Sequence, residues 1–177
     1  MSDVAIVIGH HPDAPGAAMK VGGGVVHEYD LWAPFAEVLA KNVNVDAEVV
    51  ERPNKLPDED LALKVNDTGA DAAVELHFNA SSMGDASGTE MLYYPGSEGG
   101  RDLAKMLHKH TLGALGLPDR GLKRKKFAFL EMTTMPAVIA EPAFATCDED
   151  AKALVTGLPD LIGAYSTALE YFVGGVS

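Results

Sequence analysis

Four side chains carry the chemistry this sequence can do: His10, Glu28, His77 and Glu141. His10 follows the apolar run Val4 to Ile8 and Gly9, His77 lies at the end of the run that begins at Ala72, and Glu141 directly follows Val138-Ile139-Ala140. Glu28 heads a segment whose apolar residues have helical spacing. Two imidazoles and a carboxylate are a donor set for catalytic zinc, which takes three protein ligands and keeps a fourth position for water. Zinc brings the pKa of that water to about 7 and polarises a carbonyl, and amide hydrolysis needs both. It also needs a second carboxylate to take the proton of the water and pass it to the leaving nitrogen. Glu141, between an apolar run and Pro142, suits that role, because partial burial there raises a carboxyl pKa. Spacing alone leaves two choices open: His11 could stand in for His10, and His27 for Glu28. A lone histidine closing an apolar strand, as His77 does, is more often a hydrogen-bonded core residue than a ligand.

The elements that must position these groups alternate between strand and helix. Val4 to Ile8 reads as a first strand buried on both faces. The stretch from His10 to Val26, with Pro12, Pro15, Gly16 and Gly22-Gly23-Gly24, reads as an irregular loop. A helix begins at Glu28, with Leu31, Phe35, Val38 and Leu39 at helical spacing and Glu28 and Asp30 in the first turn, where negative charge suits the helix dipole. Val45 to Val50 reads as a second strand, and Leu61, Leu63 and Val65 lie in a short helix before Asp67-Thr68-Gly69. Ala72 to Phe78 is the third strand and Gly88 to Tyr94 the fourth, joined by the small polar linker Asn79 to Ser87. Leu103, Met106 and Leu107 mark a helix ending around Gly113 to Pro118. Phe127 to Leu130 and Ala137 to Ala140 are further strands, and Asp148 to Phe172 is a final helix interrupted near Gly157-Leu158-Pro159. The alternation implies an α/β fold, a single open, mostly parallel sheet flanked by helices. In such sheets ligands collect outside the carboxyl ends of the strands. That rim would gather His10, His77 and Glu141, and Glu28 reaches it if the first loop folds back.

Composition supports one unit. The 177 residues are 47% apolar and 23% charged, with a mean hydropathy of +0.03, enough to build one core without repeats or low-complexity linkers. A formal charge of -12 disfavours nucleic acid and anionic lipid as partners. The single cysteine, Cys147, cannot close an internal disulfide. The N-terminal Met1-Ser2-Asp3-Val4 has no basic lead, and the apolar runs are too short for a signal core or for the ~20 residues of a membrane span. The expectation is a chain made in the cytoplasm, with no stable membrane association.

The ordered set Gly9-His10, Glu28, Leu76-His77-Phe78-Asn79-Ala80, Gly88-Thr89-Glu90, Arg120-Gly121-Leu122-Lys123 and Pro136 to Phe144 resembles the zinc-dependent N-acetylmuramoyl-L-alanine amidases of bacterial cell-wall hydrolases and phage endolysins. The likeness spans roughly residues 4 to 172. It implies hydrolysis of the amide between the lactyl group of N-acetylmuramic acid and the L-alanine of the peptidoglycan stem. It further implies one zinc ion (Zn2+) per chain on His10, Glu28 and His77, Glu141 as acid/base, and Asn79 and Arg120 at substrate-binding positions near the groove. Peptidoglycan is then the partner, residues 1–177 are one catalytic domain without a separate wall-binding domain, and a phage or prophage lysin released through a holin pore is the expected setting. The rivals are a zinc carboxypeptidase acting on another amide of the stem peptide and a non-catalytic wall-binding module.

The chain departs from the family in three places. The usual Asp-Pro-Gly-His-Gly is here Val7-Ile8-Gly9-His10-His11, which removes an Asp that would orient a ligand. Glu75, two residues before His77 and so on the same side of its strand, replaces a small residue and is a candidate for that task. Cys147 stands at a usually polar position. The cluster Arg120, Lys123, Arg124, Lys125 and Lys126 reads as a solvated turn, with attraction to anionic wall polymer as its functional alternative. His108 and His110 read as surface residues, and Trp32 as packing.

Overall fold

The computed structural model describes residues 2–53, 57–82 and 86–175. Residues 83–85 of the small polar linker, and Met1, lie outside the described residues. Six strands form one sheet: β1 (Val4–Ile8), β4 (Ala47–Glu51), β5 (Ala72–Leu76), β6 (Thr89–Tyr93), β7 (Asp119–Arg124) and β8 (Ala137–Glu141), in the order β4-β1-β5-β8-β6-β7. The first four in that order run parallel, β6 pairs antiparallel with β8, and β7 is parallel to β6. β2 (Ala18–Val21) and β3 (Gly24–His27) form a separate hairpin.

Every residue of β1 and β5 is buried, because helices cover both faces of the sheet, and the period-2 alternation of the strands divides their side chains between two cores. Val4, Ile6, Ile8, Val74, Leu76, Val138 and Ala140 pack under α1 (Glu28–Asn42), α3 (Glu98–Leu115) and α6 (Leu158–Gly174), against Trp32, Phe35, Leu103, Leu107 and Tyr165. Ala5, Val7, Ala73 and Ile139 face α2 (Asp58–Asp67) and α4 (Ala128–Met132), against Leu61, Val65, Phe129 and Leu130. The interrupted C-terminal helix is α5 (Asp148–Thr156) followed by α6. Trp32 is core, as expected, whereas Val38 and Leu63 face solvent.

Three expectations are corrected. Phe127 to Leu130 is not a strand: α4 occupies this stretch. Both edges of β8 are already taken by β5 and β6, and the adjacent residues Phe129 and Leu130 both enter one core, which a helix permits and a strand does not. The His10 to Val26 loop contains the β2–β3 hairpin, turned by Gly22 and Gly23 at φ 60° and 83°, the left-handed pair that matches strand twist. Arg120, Lys123 and Arg124 of the basic cluster lie on the edge strand β7 (Asp119–Arg124) and not in a turn, while Lys125 and Lys126 follow it outside regular structure; lysine and arginine on an edge discourage further pairing.

Register fixes the site. Ile8 lies opposite Leu76, and Leu76 opposite Ala140, so the three parallel strands end level. His10, His77 and Glu141 therefore leave the sheet at one rim. The reversed strand β6 starts at that rim, with Glu90 opposite Glu141 and Gly121 of β7 next to Glu90.

Candidate active site

The β2–β3 hairpin sends the chain away from the rim and back, so that α1 begins beside His10. Backbone bonds lock this return: Glu28 N–H donates to the Ala17 carbonyl and Tyr29 N–H to that of Pro15, each at 3.1 Å. The Glu28 carboxylate then accepts from Ala17 N–H at 2.9 Å and from Phe78 N–H at 3.1 Å. It is buried, and its two oxygens divide between two imidazoles. Oε1 lies 3.2 Å from His10 Nε2, and Oε2 lies 3.1 Å from His77 Nδ1.

His10, Glu28 and His77 each bring one ligand atom to within 4.8 Å of the others. Ligands about 2.0–2.1 Å from a tetrahedral ion stand roughly 3.4 Å apart, so this donor set fits a zinc-sized cation after small adjustments. The fit is reinforced by Gly9: a Cβ there would lie 2.1 Å from His77 Nε2, so only glycine lets the ring lie where it does. The two rings meet edge to face, with centroids 4.9 Å apart. His11 accepts from Asp13 N–H at Nδ1 and His27 ends β3, and neither enters the group. Geometry thus separates the alternatives that spacing left open.

The charges in this group depend on one another. Burial opposes ionisation of Glu28, but hydrogen bonds to His10 and His77 and their positive charge outweigh it and hold the carboxyl down at about 2. Burial also opposes charge on His77, and the carboxylates of Glu75 and Glu28 override it, holding the imidazole up at about 10. Glu141 moves the other way. Burial, then its hydrogen bond and repulsion with Glu90, push it up to about 7, against the pull of His77.

Glu141 lines a cavity of about 430 Å³ together with two members of the triad, His10 and His77, and with Glu75, Arg52, Phe127 and Ile139 among others. Asn79 bridges the carboxyl groups of Glu141 and Glu90, donating from Nδ2 to Glu141 Oε2 at 2.6 Å and to Glu90 Oε1 at 2.8 Å. Arg120 donates from Nε to Glu90 Oε2 at 2.8 Å and lies over the ring of Phe144, 4.7 Å from its centroid. The six site residues predicted from the sequence thus occupy one rim, with Asn79 and Arg120 on the Glu141 side. Sequence reasoning gave no role to Glu90, Arg52 or Asp58. Glu90 belonged to the Gly88-Thr89-Glu90 motif, and Arg52 directly follows β4 at the same strand end as His10.

Two expectations outside the cavity resolve differently. His108 is buried, not at the surface, and its Nε2 lies 2.7 Å from Asp119 Oδ1. It belongs to the α3 stripe of Leu103, Ala104, Leu107 and Thr111 that packs inward. Cys147 is half-buried at the start of α5, with Sγ 3.4 Å from Glu149 Oε2.

Residues 4–167 match the protein family described as N-acetylmuramoyl-L-alanine amidase. Among curated proteins, the uncharacterized protein YqiI of Bacillus subtilis (strain 168) is 35% identical over 98 residues, 54% of this chain and 47% of that protein. The N-acetylmuramoyl-L-alanine amidase LytC of the same organism is 33% identical over 88 residues, 48% of this chain and 18% of that protein. The chain therefore spans half or less of the length of these curated relatives. Among solved structures, the N-acetylmuramoyl-L-alanine amidase from Clostridium difficile 630 has a TM-score of 0.85 at 24% identity, covering 98% of this chain and 97% of that one, and shows the same fold. Because the match runs over nearly all of its length, the chain belongs to the N-acetylmuramoyl-L-alanine amidase family.

Proposed function

We propose that the chain hydrolyses the amide between the lactyl group of N-acetylmuramic acid and L-alanine in peptidoglycan, with one zinc ion held by His10, Glu28 and His77. The observation that carries this reading is the pairing of a metal-capable triad with a carboxyl group held at about 7 across the same cavity. Zinc bound by the triad would supply a Lewis acid for the amide carbonyl and make water ionisable near neutrality. The chain's own residues do the rest.

Glu141 takes a proton from the attacking water and returns it to the amide nitrogen as the C–N bond breaks. A group poised near neutral pH serves both directions, whereas an ordinary carboxyl is too weak a base and too rarely protonated. Asn79 holds Glu141 in place through the amide that also binds Glu90. Arg120 is tied to Glu90 through Nε and keeps its guanidinium partly exposed at the rim, where it meets the substrate.

Mass spectrometry of digested cell wall tests the reading. Free stem peptides with N-terminal alanine support it, peptides shortened while still attached to the sugar indicate a peptidase, and binding without released fragments indicates a wall-binding module. Zinc analysis of the purified chain should give one ion per molecule, and a chain purified without bound zinc that also takes up none would overturn the metal part of the reading. The proposal includes a phage or prophage setting, in which co-expression with a holin lyses the host and expression alone does not. Secretion without a holin overturns that part.

A further inference from the structure

Glu75 is a buried carboxylate in the middle of a sheet, between Val7 of β1 and Ile139 of β8. A charge taken that far from water is costly unless paired, and two groups meet it. Arg52 Nη2 donates to Oε1 at 3.1 Å, and His77 Nε2 lies 3.3 Å from the same oxygen. The other terminal nitrogen of the guanidinium, Nη1, donates to Oδ1 of Asp58, the first residue of α2, at 2.7 Å. Arg–carboxylate pairs are frequently bidentate, with two guanidinium nitrogens on one carboxylate. Here the arginine is stretched between two acids, and the oxygen it holds is the one nearest the imidazole.

The ring of His77 is therefore gripped from both sides, with Nδ1 toward Glu28 Oε2 and Nε2 toward Glu75 Oε1, while Gly9 permits close contact with its ring. A ligating histidine is normally oriented by a hydrogen bond from its other ring nitrogen, which also selects the tautomer. We propose that Glu75, held by Arg52 and Asp58, is the positioning residue of this site: it accepts Nε2–H of His77 and leaves Nδ1 as the ligand atom facing Glu28 and His10. This rests on the metal-triad reading and extends it to a cavity-lining residue outside the triad that acts through His77. It also gives the site an orienting carboxylate in a chain whose first motif has Val7 in place of the usual Asp.

The test measures zinc affinity of the full-length chain, stripped of metal and titrated against a chelating chromophore, for wild type, Glu75→Gln and Arg52→Met. The near-isosteric Glu75→Gln should bind zinc about 10- to 100-fold more weakly, and Arg52→Met should be weaker in the same direction. Affinities within threefold of wild type for both variants overturn the inference while leaving the triad intact. Wild type that binds no zinc overturns the triad reading itself. A variant-free measurement covers the case in which Glu75→Gln does not fold. Two-bond ring nitrogen–proton correlations of His77 in the zinc-loaded wild type should show the proton on Nε2, and a proton on Nδ1 with Nε2 as ligand overturns the proposal.

Discussion

Replacing Glu141 by Gln should remove activity and at the same time stabilise the metal-free protein at alkaline pH. In the folded chain burial and Glu90 hold this carboxyl at about 7, against 4.5 for the ordinary group. Between those pH values the native state keeps a proton that the unfolded state has lost, so stability falls as pH rises. Roughly 2.5 units at 1.36 kcal/mol each give about 3 kcal/mol as the most this group costs above pH 7. Gln carries no charge and still offers an oxygen to Asn79, which now donates to Glu141 at 2.6 Å. Urea unfolding of chelator-treated protein should therefore show the variant gaining up to about 3 kcal/mol over wild type at pH 8 and almost nothing at pH 4. In heat, with roughly 2–4 °C per kcal/mol for a domain of this size, that is a shift of several degrees. Turnover should fall about 10²- to 10⁴-fold, or roughly 3–5 kcal/mol of transition-state stabilisation, with zinc content unchanged because Glu141 lies outside the triad. Equal stability of variant and wild type at pH 8 would refute the penalised carboxylate. Turnover within tenfold of wild type would refute its role as acid/base.

The metal-free protein should also lose stability in acid through Glu28, whose carboxyl is held at about 2. That contribution is complete above pH 4.5 and disappears as pH falls toward 2, and Glu28→Gln should flatten this part of the unfolding curve. Gly9→Ala should drive the His77 ring out of place, since the new Cβ would lie 2.1 Å from Nε2. A loss of zinc affinity of about tenfold or more with an unchanged far-ultraviolet spectrum is the expected signature, and wild-type affinity would contradict it. Asp150 is fully buried and accepts from Ser87 Oγ at 2.6 Å, Gly88 N–H at 2.8 Å and Phe144 N–H at 2.9 Å. Asp150→Ala leaves those donors unpaired and should cost about 3 kcal/mol or more in urea unfolding, whereas a loss below 1 kcal/mol would show that the clasp is not needed.

The parts of the fold legible in the sequence are those whose pattern has one physical solution. Val4 to Ile8 and Ala72 to Leu76 are apolar on both sides because helices cover both faces, and a short run of that kind ends in a helix or a turn at a rim. Two stretches were opaque for the opposite reason. The strand β7 is written in charged residues because it lies at an edge, and Phe127 to Leu130 has strand-like composition but no free edge of β8 to join.

What the sequence by itself determined is the placement of three candidate site residues at strand ends: His10, His77 and Glu141 follow apolar runs, and parallel strands ending level bring such residues together whatever the loops do. Tertiary structure decided the finer chemistry. The antiparallel entry of β6 puts Glu90 beside Glu141 and so helps raise its pKa. The β2–β3 hairpin turns Glu28, and not His27, toward the imidazoles. The reach of Arg52 from β4 places a counter-charge on Glu75. These outcomes depend on distances of a few ångströms between residues tens of positions apart, and Coulomb and hydrogen-bond energies vary over that range in a way that residue order alone does not encode.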